Sequence, residues 1–594
     1  MILLLLILVA GYFALIRRDN PVPVALLGEG GSPASSAAPA AAGGTPDAAN
    51  GATAAPTATT HQVSGAVLDR RSGRPVEGAT VTAVGGESTQ SGPDGAFVLA
   101  LTDPTARLSV QAPGFDTAEV TADGDLSRIE LRPNTAAGRV FDATNGQPVQ
   151  AATVGHGSQI VKTSAGGEFR LTDLPPEAAV TVSANGYEKT TIESLDADDL
   201  TIELKPWSAR GVYATLFALA DPEIKADIDR VLTGTQLNAI VIDVKGDRAW
   251  TLFPTKDPTA EAIGADIMTP VPDIEEVLSD YKQKGIYTIA RVVVFKDDLM
   301  ARNGPKIGRD VAIKRPDGSL WIDLEGQAWV DPSRPESWEY PIVLAKEAAE
   351  KGFDEIQFDY IRFPTDPGSD NDVNLAIYSK EPNEENRVAS IVGFLKRANE
   401  VLGPMGVPIS IDTFGYTTLR SDDTGIGQDM RVLADYVDYI SPMVYPSTYQ
   451  AGLPSDPPID FPEVVRHPYE VIYESVSRLV ERTQGRRAKI RPWLQYFDDY
   501  ATPFDIPYGP EEIRAQVQAT IDAGGLGWLY WDPYNEYEHG AVIVDEIPEP
   551  KVTPTSTPAL AASPAASPAV GASPSAGPVI RPATSPSPSP PSRP

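Results

Sequence analysis

Cysteine is absent from the 594-residue chain. That excludes disulfides, thiolate zinc sites, cysteine nucleophiles and a lipid anchor on cysteine. Histidine is nearly absent too: His61, His156, His467 and His539 are scattered along the sequence. Such a set does not point to a His-based metal site or a Ser-His-Asp triad. Positive charge is scarce, 49 Lys and Arg against 81 Asp and Glu, a formal net charge of -32. Nothing here would neutralise a phosphate backbone, so nucleic acid is not an expected partner. The acidity keeps a surface protein soluble and is compatible with neutral or cationic substrates. No Gly-rich phosphate loop follows the first strand of the large domain, which argues against a doubly wound open sheet there; neither a cofactor nor a metal is expected.

Long apolar runs are missing, with one exception at the start. Residues 1–16, MILLLLILVAGYFALI, are almost wholly apolar, and Arg17 and Arg18 follow. This is short of the roughly 20 residues of a full span, but it suits the core of an export signal or signal anchor, assigned to residues 1–18. The arginines on its C-terminal side would by themselves keep that side cytoplasmic. The segments that come next favour export, to the cell membrane facing outward or beyond it. Residues 19–60 and 548–594 are Ala, Gly, Ser, Thr and Pro with few bulky apolar side chains, and both are expected to be disordered spacers.

Between the spacers lies an internal repeat over 61–133 and 134–206. SGAVLDRRSGRPVEGATVTA aligns with AGRVFDATNGQPVQAATVGH, so that Gly65, Gly73 and Pro75 match Gly138, Gly146 and Pro148. DGAFVL then matches GGEFRL, and PGF matches NGY. Short Val/Thr-rich runs punctuated by Gly, Asn and Pro predict a small antiparallel sandwich in each unit. The pattern resembles carboxypeptidase regulatory-like domains, which are mostly extracellular spacers or binding sandwiches without catalytic residues. That implication supports export.

From residue 207 to 547 the texture changes. Short β-branched runs alternate with amphipathic helical stretches, the pattern of a parallel α/β sheet. Eight strands are expected at 211–215, 239–244, 287–294, 355–360, 408–412, 439–444, 489–495 and 527–531. Helices are expected at 273–284, 339–351, 385–401, 469–482 and 510–523. Eight such units in this length predict a TIM (β/α)8 barrel, an α/β fold behind two all-β sandwiches.

Alternation along the strands selects candidate site residues. Ile356 and Phe358 should face the helices, with Gln357 and Asp359 facing the barrel interior. Ser410 and Asp412 should face inward from the fifth strand, Val241, Asp243 and Lys245 from the second, and Arg291 from the third. Arg491, Trp493 and Gln495 should do so from the seventh. Polar strand ends at one mouth are where such barrels do chemistry. Asp359 and Asp412 end adjacent strands, about 4.8 Å apart, which allows the carboxylate spacing of about 5 to 5.5 Å of retaining glycosidases. One would attack the anomeric carbon while the other, with a raised pKa, protonates the leaving oxygen. Arg291 and Arg362 would keep the first ionised. Flat aromatic side chains for stacking sugar rings are supplied near the strand ends by Phe414, Tyr416, Tyr445, Tyr449, Trp493, Tyr496, Tyr500, Trp528, Tyr530, Trp531 and Tyr534, and on earlier loops by Trp250 and Trp321. The expected catalytic pair is therefore Asp359 and Asp412. The expected substrate-binding residues are Asp243, Lys245, Arg291, Gln357, Arg362, Tyr416, Tyr445, Gln495, Trp531 and Asp532.

GVYAT, IVIDVK, ARVVVFKD, FDEIQFDYIRFP, ISIDTFGY, DYISPMVYPSTY, RPWLQYF and GWLYWDP together resemble the glycosyl hydrolase barrels long catalogued as a domain of unknown function. The resemblance runs over nearly all of 207–545. That family is distantly similar to alpha-amylase-like barrels, in which a strand-4 aspartate is the nucleophile. The similarity implies that role for Asp359. The acid of those barrels is a glutamate ending strand 5, where this chain has Asp412, so Asp243 and Asp532 stay open as alternatives.

Three readings follow. The first is an exported retaining glycoside hydrolase acting on a polysaccharide. The second is a non-catalytic glycan-binding surface protein with a degenerate barrel. The third is a metal-dependent hydrolase using Asp243, Asp359 and Asp532.

Overall fold

The computed structural model describes residues 60–537 apart from 158, 194, 196–198, 366–371, 450–462 and 500–501. The expected anchor at 1–18, the spacer up to residue 59, the tail at 548–594 and Tyr500 lie outside the described residues. No helix among the described residues is long and apolar enough to cross a membrane.

Each repeat folds as seven strands in two facing sheets. In the first, Ala96–Leu101, His61–Asp69 and Ile129–Leu131 form one sheet in that order. Ser88–Gln90, Thr80–Ala83, Arg107–Gln111 and Ala118–Thr121 form the other. The second repeat keeps the same order, Glu168–Leu171, Ala136–Asp142, Leu200–Leu204 against Gln159–Lys162, Thr153–His156, Val180–Ser183, Thr190–Ile192. Period-two burial builds the cores: Phe97, Leu99 and Leu101 point in from one strand and meet Val81, Leu108 and Val110. Phe169, Leu171, Val154 and Val182 do the same in the second unit. The shared Gly of DGAF and GGEF is explained by geometry. Gly95 and Gly167 have φ of 75° and 76°, and a Cβ at either would run into the carbonyl of Val67 or Val140.

The units are not purely antiparallel as expected. The first and last strands of each run parallel, Val67 opposite Ile129 and Val140 opposite Ile202. The reason is parity: when every connection reverses direction, the first and the seventh strand point the same way.

The large domain closes as a parallel barrel. Its strands are β1 (Arg210–Ala214), β2 (Ala239–Lys245), β3 (Tyr287–Val293), β4 (Glu355–Asp359), β5 (Ile409–Phe414), β6 (Tyr439–Met443), β7 (Lys489–Ile490 continuing as Trp493–Gln495) and β8 (Trp528–Trp531). Each pairs with the next, and β8 pairs with β1. β7 is interrupted at Arg491 and Pro492, where proline has no N–H to give the ladder. Helices between strands include Pro222–Gly234, Ile274–Gln283, Glu339–Lys351, Glu384–Leu402, Pro468–Arg482 and Pro510–Asp522. Several start on the residues that favour a start: Asp221 accepts from Glu223 N and Ile224 N ahead of Pro222, and Asn383 accepts from Asn386 N.

Strand alternation sorts two layers. Ile240, Ile242, Val292, Ile356, Phe358, Ile409 and Ile411 face the helices in one continuous core. Tyr213, Val241, Ile289, Trp493 and Leu529 fill the barrel interior. At the N-terminal end of the strands the interior is closed by a buried ion pair. Arg491 forks onto both oxygens of Glu355, which also accepts from Ser410 Oγ and Tyr287 OH, and the guanidinium lies over the Tyr439 ring at 4.4 Å. The second sandwich docks under this end. Asn185 Nδ2 donates to the carbonyl (3.3 Å) and carboxylate (3.1 Å) of Asp438 and to the Arg487 carbonyl. Gly186 N donates to Tyr439 OH at 3.2 Å, and Trp207 packs on Tyr287 with centroids 4.8 Å apart.

Candidate active site

At the C-terminal end of the strands one guanidinium gathers the carboxylates. Arg291 rises from β3 and is flanked in register by Asp243 of β2 and Gln357 of β4. Its Nη1 donates to Asp243 Oδ1 at 2.6 Å. Its Nε and Nη2 donate to Asp359 Oδ2 at 3.0 and 2.6 Å. Nη2 also reaches Asp247 Oδ1 at 3.1 Å, and Nε lies 3.9 Å from Asp412 Oδ2. The Arg291 group stands over the rings of Trp531 (5.4 Å) and Tyr213 (5.6 Å), which stack on each other at 4.0 Å. The planar fork suits this task because five donors can serve several carboxylates at once. It also occupies the space in which a cation shared by Asp243 and Asp359 would have to sit, which speaks against the metal-dependent reading.

Asp359 and Asp412 face each other from β4 and β5, one rung beyond the pair Phe358 and Ile411. Both Asp359 Oδ2 and Asp412 Oδ2 are near Arg291 Nε, at 3.0 and 3.9 Å, so they are no more than about 6.9 Å apart, the sum of the two. That limit on the nearer oxygens admits the retaining spacing of about 5 to 5.5 Å. Neither aspartate caps a helix. Asp359 Oδ1 accepts from the N–H of Tyr360 at 2.5 Å, and Tyr360 has a φ of 49°, a strained value for a residue with a bulky side chain. The chain turns sharply as it leaves the strand.

The two aspartates differ in surroundings. Asp412 Oδ1 accepts from Trp493 Nε1 at 2.6 Å, while its buried Oδ2 accepts no hydrogen bond. Burial, then the charge of Asp359, push its carboxyl far above the ordinary range against the opposing pull of Arg291 and Trp493. Its surroundings favour the protonated form, next to an aspartate held by Arg291. Asp243 is pushed up to about 6 by burial, with Asp247 adding and Arg291 and Tyr213 opposing. Tyr213 OH donates to its Oδ2 at 2.6 Å. Asp532 is also raised to about 6, mainly by burial. It accepts from Tyr534 N, and no hydrogen bond or ion pair ties it to Arg291 among the described residues.

Several expected site residues are spent elsewhere. A register shift between Asp243 and Lys245 turns Lys245 away from the alternation, to the Val293 carbonyl at 2.8 Å and Asp297 at 3.0 Å. Arg362 does not pair with Asp359. It lies over the rings of Trp329, Tyr360 and Phe414, since the turn at Tyr360 carries it past the strand end. Gln495 is held by Ser447 N and the Phe497 carbonyl, fixing the loop after β6. Gln357 lies a layer below the carboxylates and donates to Ser441 Oγ at 3.3 Å. Tyr445 packs edge-on against Phe497 in the inner cluster, and Tyr416 OH donates to the Thr448 carbonyl. Trp531 is at the site, under Arg291. Trp528, Tyr530 and Tyr496 belong to the helix-facing core, and Trp321 and Tyr449 are buried. Arg491 faces inward as expected but at the opposite end, on Glu355.

The mouth also holds residues that alternation did not reach. Asp247 lies two residues past β2, and its side chain is 39% exposed. Lys296 and Glu325 pair at 2.7 Å beside the Tyr360 ring. Tyr213 was readable as an inward position of β1.

A closed parallel barrel with a carboxylate cluster at the C-terminal strand ends is the architecture of TIM-barrel hydrolases. The family described as "Putative glycosyl hydrolase domain" matches residues 211–537. The chain belongs to that family, and its barrel is a glycosidase domain. Carboxypeptidase regulatory-like domains match residues 62–132 and 135–205. No curated protein matches the chain. Among solved structures, a hypothetical protein from Ruminiclostridium thermocellum ATCC 27405 is 33% identical, with 34% of this chain and 96% of that one covered and a TM-score of 0.29. The PgaB (BpsB) glycoside hydrolase domain from Bordetella bronchiseptica is 13% identical, with 57% and 100% covered and a TM-score of 0.40. The glycoside hydrolase domain of PelA from Pseudomonas aeruginosa is 13% identical, with 56% and 96% covered and a TM-score of 0.30.

Proposed function

We propose that the barrel cleaves a polysaccharide by a retaining mechanism, with Asp359 as nucleophile and Asp412 as proton donor. The observation that carries it is the contrast between neighbours: Arg291 donates twice to Asp359, whereas Asp412 is buried with one oxygen on Trp493 and the other accepting no hydrogen bond, surroundings that push its carboxyl up. Asp359 attacks the anomeric carbon and Asp412 passes its proton to the departing oxygen. Water then attacks the glycosyl ester, giving its proton to Asp412 and releasing Asp359. Trp531, partly exposed and backed by the stacked ring of Tyr213, supplies an aromatic side chain against which a sugar ring can lie.

One observation favours a second assignment of the donor. The Asp412 side chain is only 1% exposed, and Asp247 reaches solvent from the same guanidinium. Aryl glycosides with activated leaving groups separate the two, because they need no acid. The variant that keeps activity on them while losing it on the polymer marks the donor. The central test is the full chain beside its Asp359→Asn variant on cell-wall polysaccharides and exopolysaccharides, reading released reducing ends. Release by the parent alone supports the reading; equal release by both sinks it.

Export belongs to the same proposal. The apolar residues 1–16, the Ala/Pro/Ser-rich spacers and the two regulatory-like modules support a cell-surface location. Protease added to intact cells should then degrade the protein; complete protection would place it inside.

A further inference from the structure

We propose that the substrate carries carboxylates, as a uronic-acid-containing glycan does, and that Arg362 is the residue that reads them. The inference rests on the glycosidase reading and adds the substrate class.

Arg362 follows the strained turn at Tyr360, three residues past the expected nucleophile. Its guanidinium lies over three rings, Trp329 at 5.0 Å, Tyr360 at 5.3 Å and Phe414 at 5.6 Å. These rings come from the loop after β3, the end of β4 and the end of β5, so the group sits on the rim above the two aspartates. Among the described residues its one hydrogen bond runs from Nη1 to the Phe363 carbonyl at 3.1 Å. Among the described residues no carboxylate lies within ion-pair distance of it, in a chain with 81 acidic residues. The side chain is only partly buried.

Rings pack on the faces of a guanidinium, while its N–H groups point out along its edges. With the rings holding the group in place and one N–H used, an edge is left for a planar two-oxygen acceptor. A sugar carboxylate is such an acceptor, and the aromatic wall beside it, continued by Tyr416 at 5.4 Å from Phe414, offers ring faces for the sugar. The net charge of -32 points toward neutral or cationic substrates, but at physiological salt charges beyond about 8 Å are largely screened. Asp243, Asp247 and Asp359 share the single charge of Arg291, and Glu325 pairs with Lys296, so the mouth is acidic on balance and the preference rests on the local contact at Arg362.

The test uses the full chain with Arg362→Gln and Arg362→Lys variants. Oligosaccharides of polygalacturonate, alginate and hyaluronate are compared with their carboxyl-reduced forms and with a sulfated glycan, by binding titration and by reducing-end release. The expected result is at least about tenfold tighter binding of one uronate over its reduced form, the effect of a single charge-assisted contact, lost in Arg362→Gln and partly kept in Arg362→Lys. Cleavage, where seen, should follow the same order. Equal binding of reduced and unreduced forms, preference for the sulfated glycan, no uronate bound, or a preference that survives Arg362→Gln would each overturn the inference. The two readings fail separately. Asp359-dependent cleavage of neutral glycans alone keeps the glycosidase and removes the uronate, whereas Arg362-dependent uronate binding without any cleavage does the reverse.

Discussion

Replacing Asp412 by Asn should make the protein progressively more stable than the parent as pH rises. In the native protein the Asp412 carboxyl holds its proton far above the ordinary range; in the unfolded chain it releases it near the usual aspartate value. Between those two values the native state carries one proton more, so parent stability falls by about 1.4 kcal/mol for each pH unit gained. Asparagine has no such proton. Its Oδ1 can still accept from Trp493 Nε1, and any penalty from its amide facing Arg291 is a constant offset. The stability difference between variant and parent should therefore be smallest near pH 4 and grow by about that slope per unit above it. Urea unfolding of both proteins at pH 4.5, 5.5, 6.5 and 7.5 measures this, and Asp243 and Asp532 cancel because both proteins keep them. Turnover of the polymer should fall about a hundredfold to ten-thousandfold, the usual contribution of a general acid. A difference that does not change with pH would mean that Asp412 is ionised in the native protein, and the proton-donor assignment would go with it.

Arg291→Met should cost about 3 to 5 kcal/mol at pH 8, because buried carboxylates lose their cation, and the deficit should shrink at pH 5 as those carboxylates take up protons; denaturant titration at the two pH values decides it. Glu355→Gln should destabilise by a similar amount by leaving Arg491 unpaired at the far end of the barrel. Because Glu355 is a barrel's depth from the mouth, KM measured below the melting range should stay at the parent value. Asn185→Ala should cost about 1 to 3 kcal/mol and speed limited proteolysis between the second sandwich and the barrel; an unchanged digestion pattern would show that Asn185 does not hold that junction.

The barrel was legible because its strands are short β-branched runs at regular intervals, and all eight were placed to within two residues at each end. Inward and outward faces were legible wherever the strand stays regular, as at Ile356, Gln357, Phe358 and Asp359. Legibility stopped where regularity did. The register shift before Lys245 and the left-handed turn at Tyr360 redirect Lys245 and Arg362, and neither leaves a mark in residue type. Asp247 was missed because it lies past the strand, where alternation no longer predicts direction. The aromatic rim was overcounted because Trp528 and Tyr530 are as suitable for packing helices as for stacking sugars; only their parity relative to Trp531 separates them. The parallel pairing in each sandwich was readable from an odd strand count but not from the Gly and Pro punctuation.

The sandwich seated under the barrel sets the direction of approach. Asn185 and Gly186 grip the strand ends opposite the mouth, so the chain that arrives through the modules meets the barrel from beneath. A glycan entering at the rim would do so at the end opposite the docked second sandwich. The two ends of the barrel are then free to diverge at different rates: the underside is held to a fixed docking turn, while the rim loops can change length and composition to suit another glycan without disturbing how the barrel is mounted.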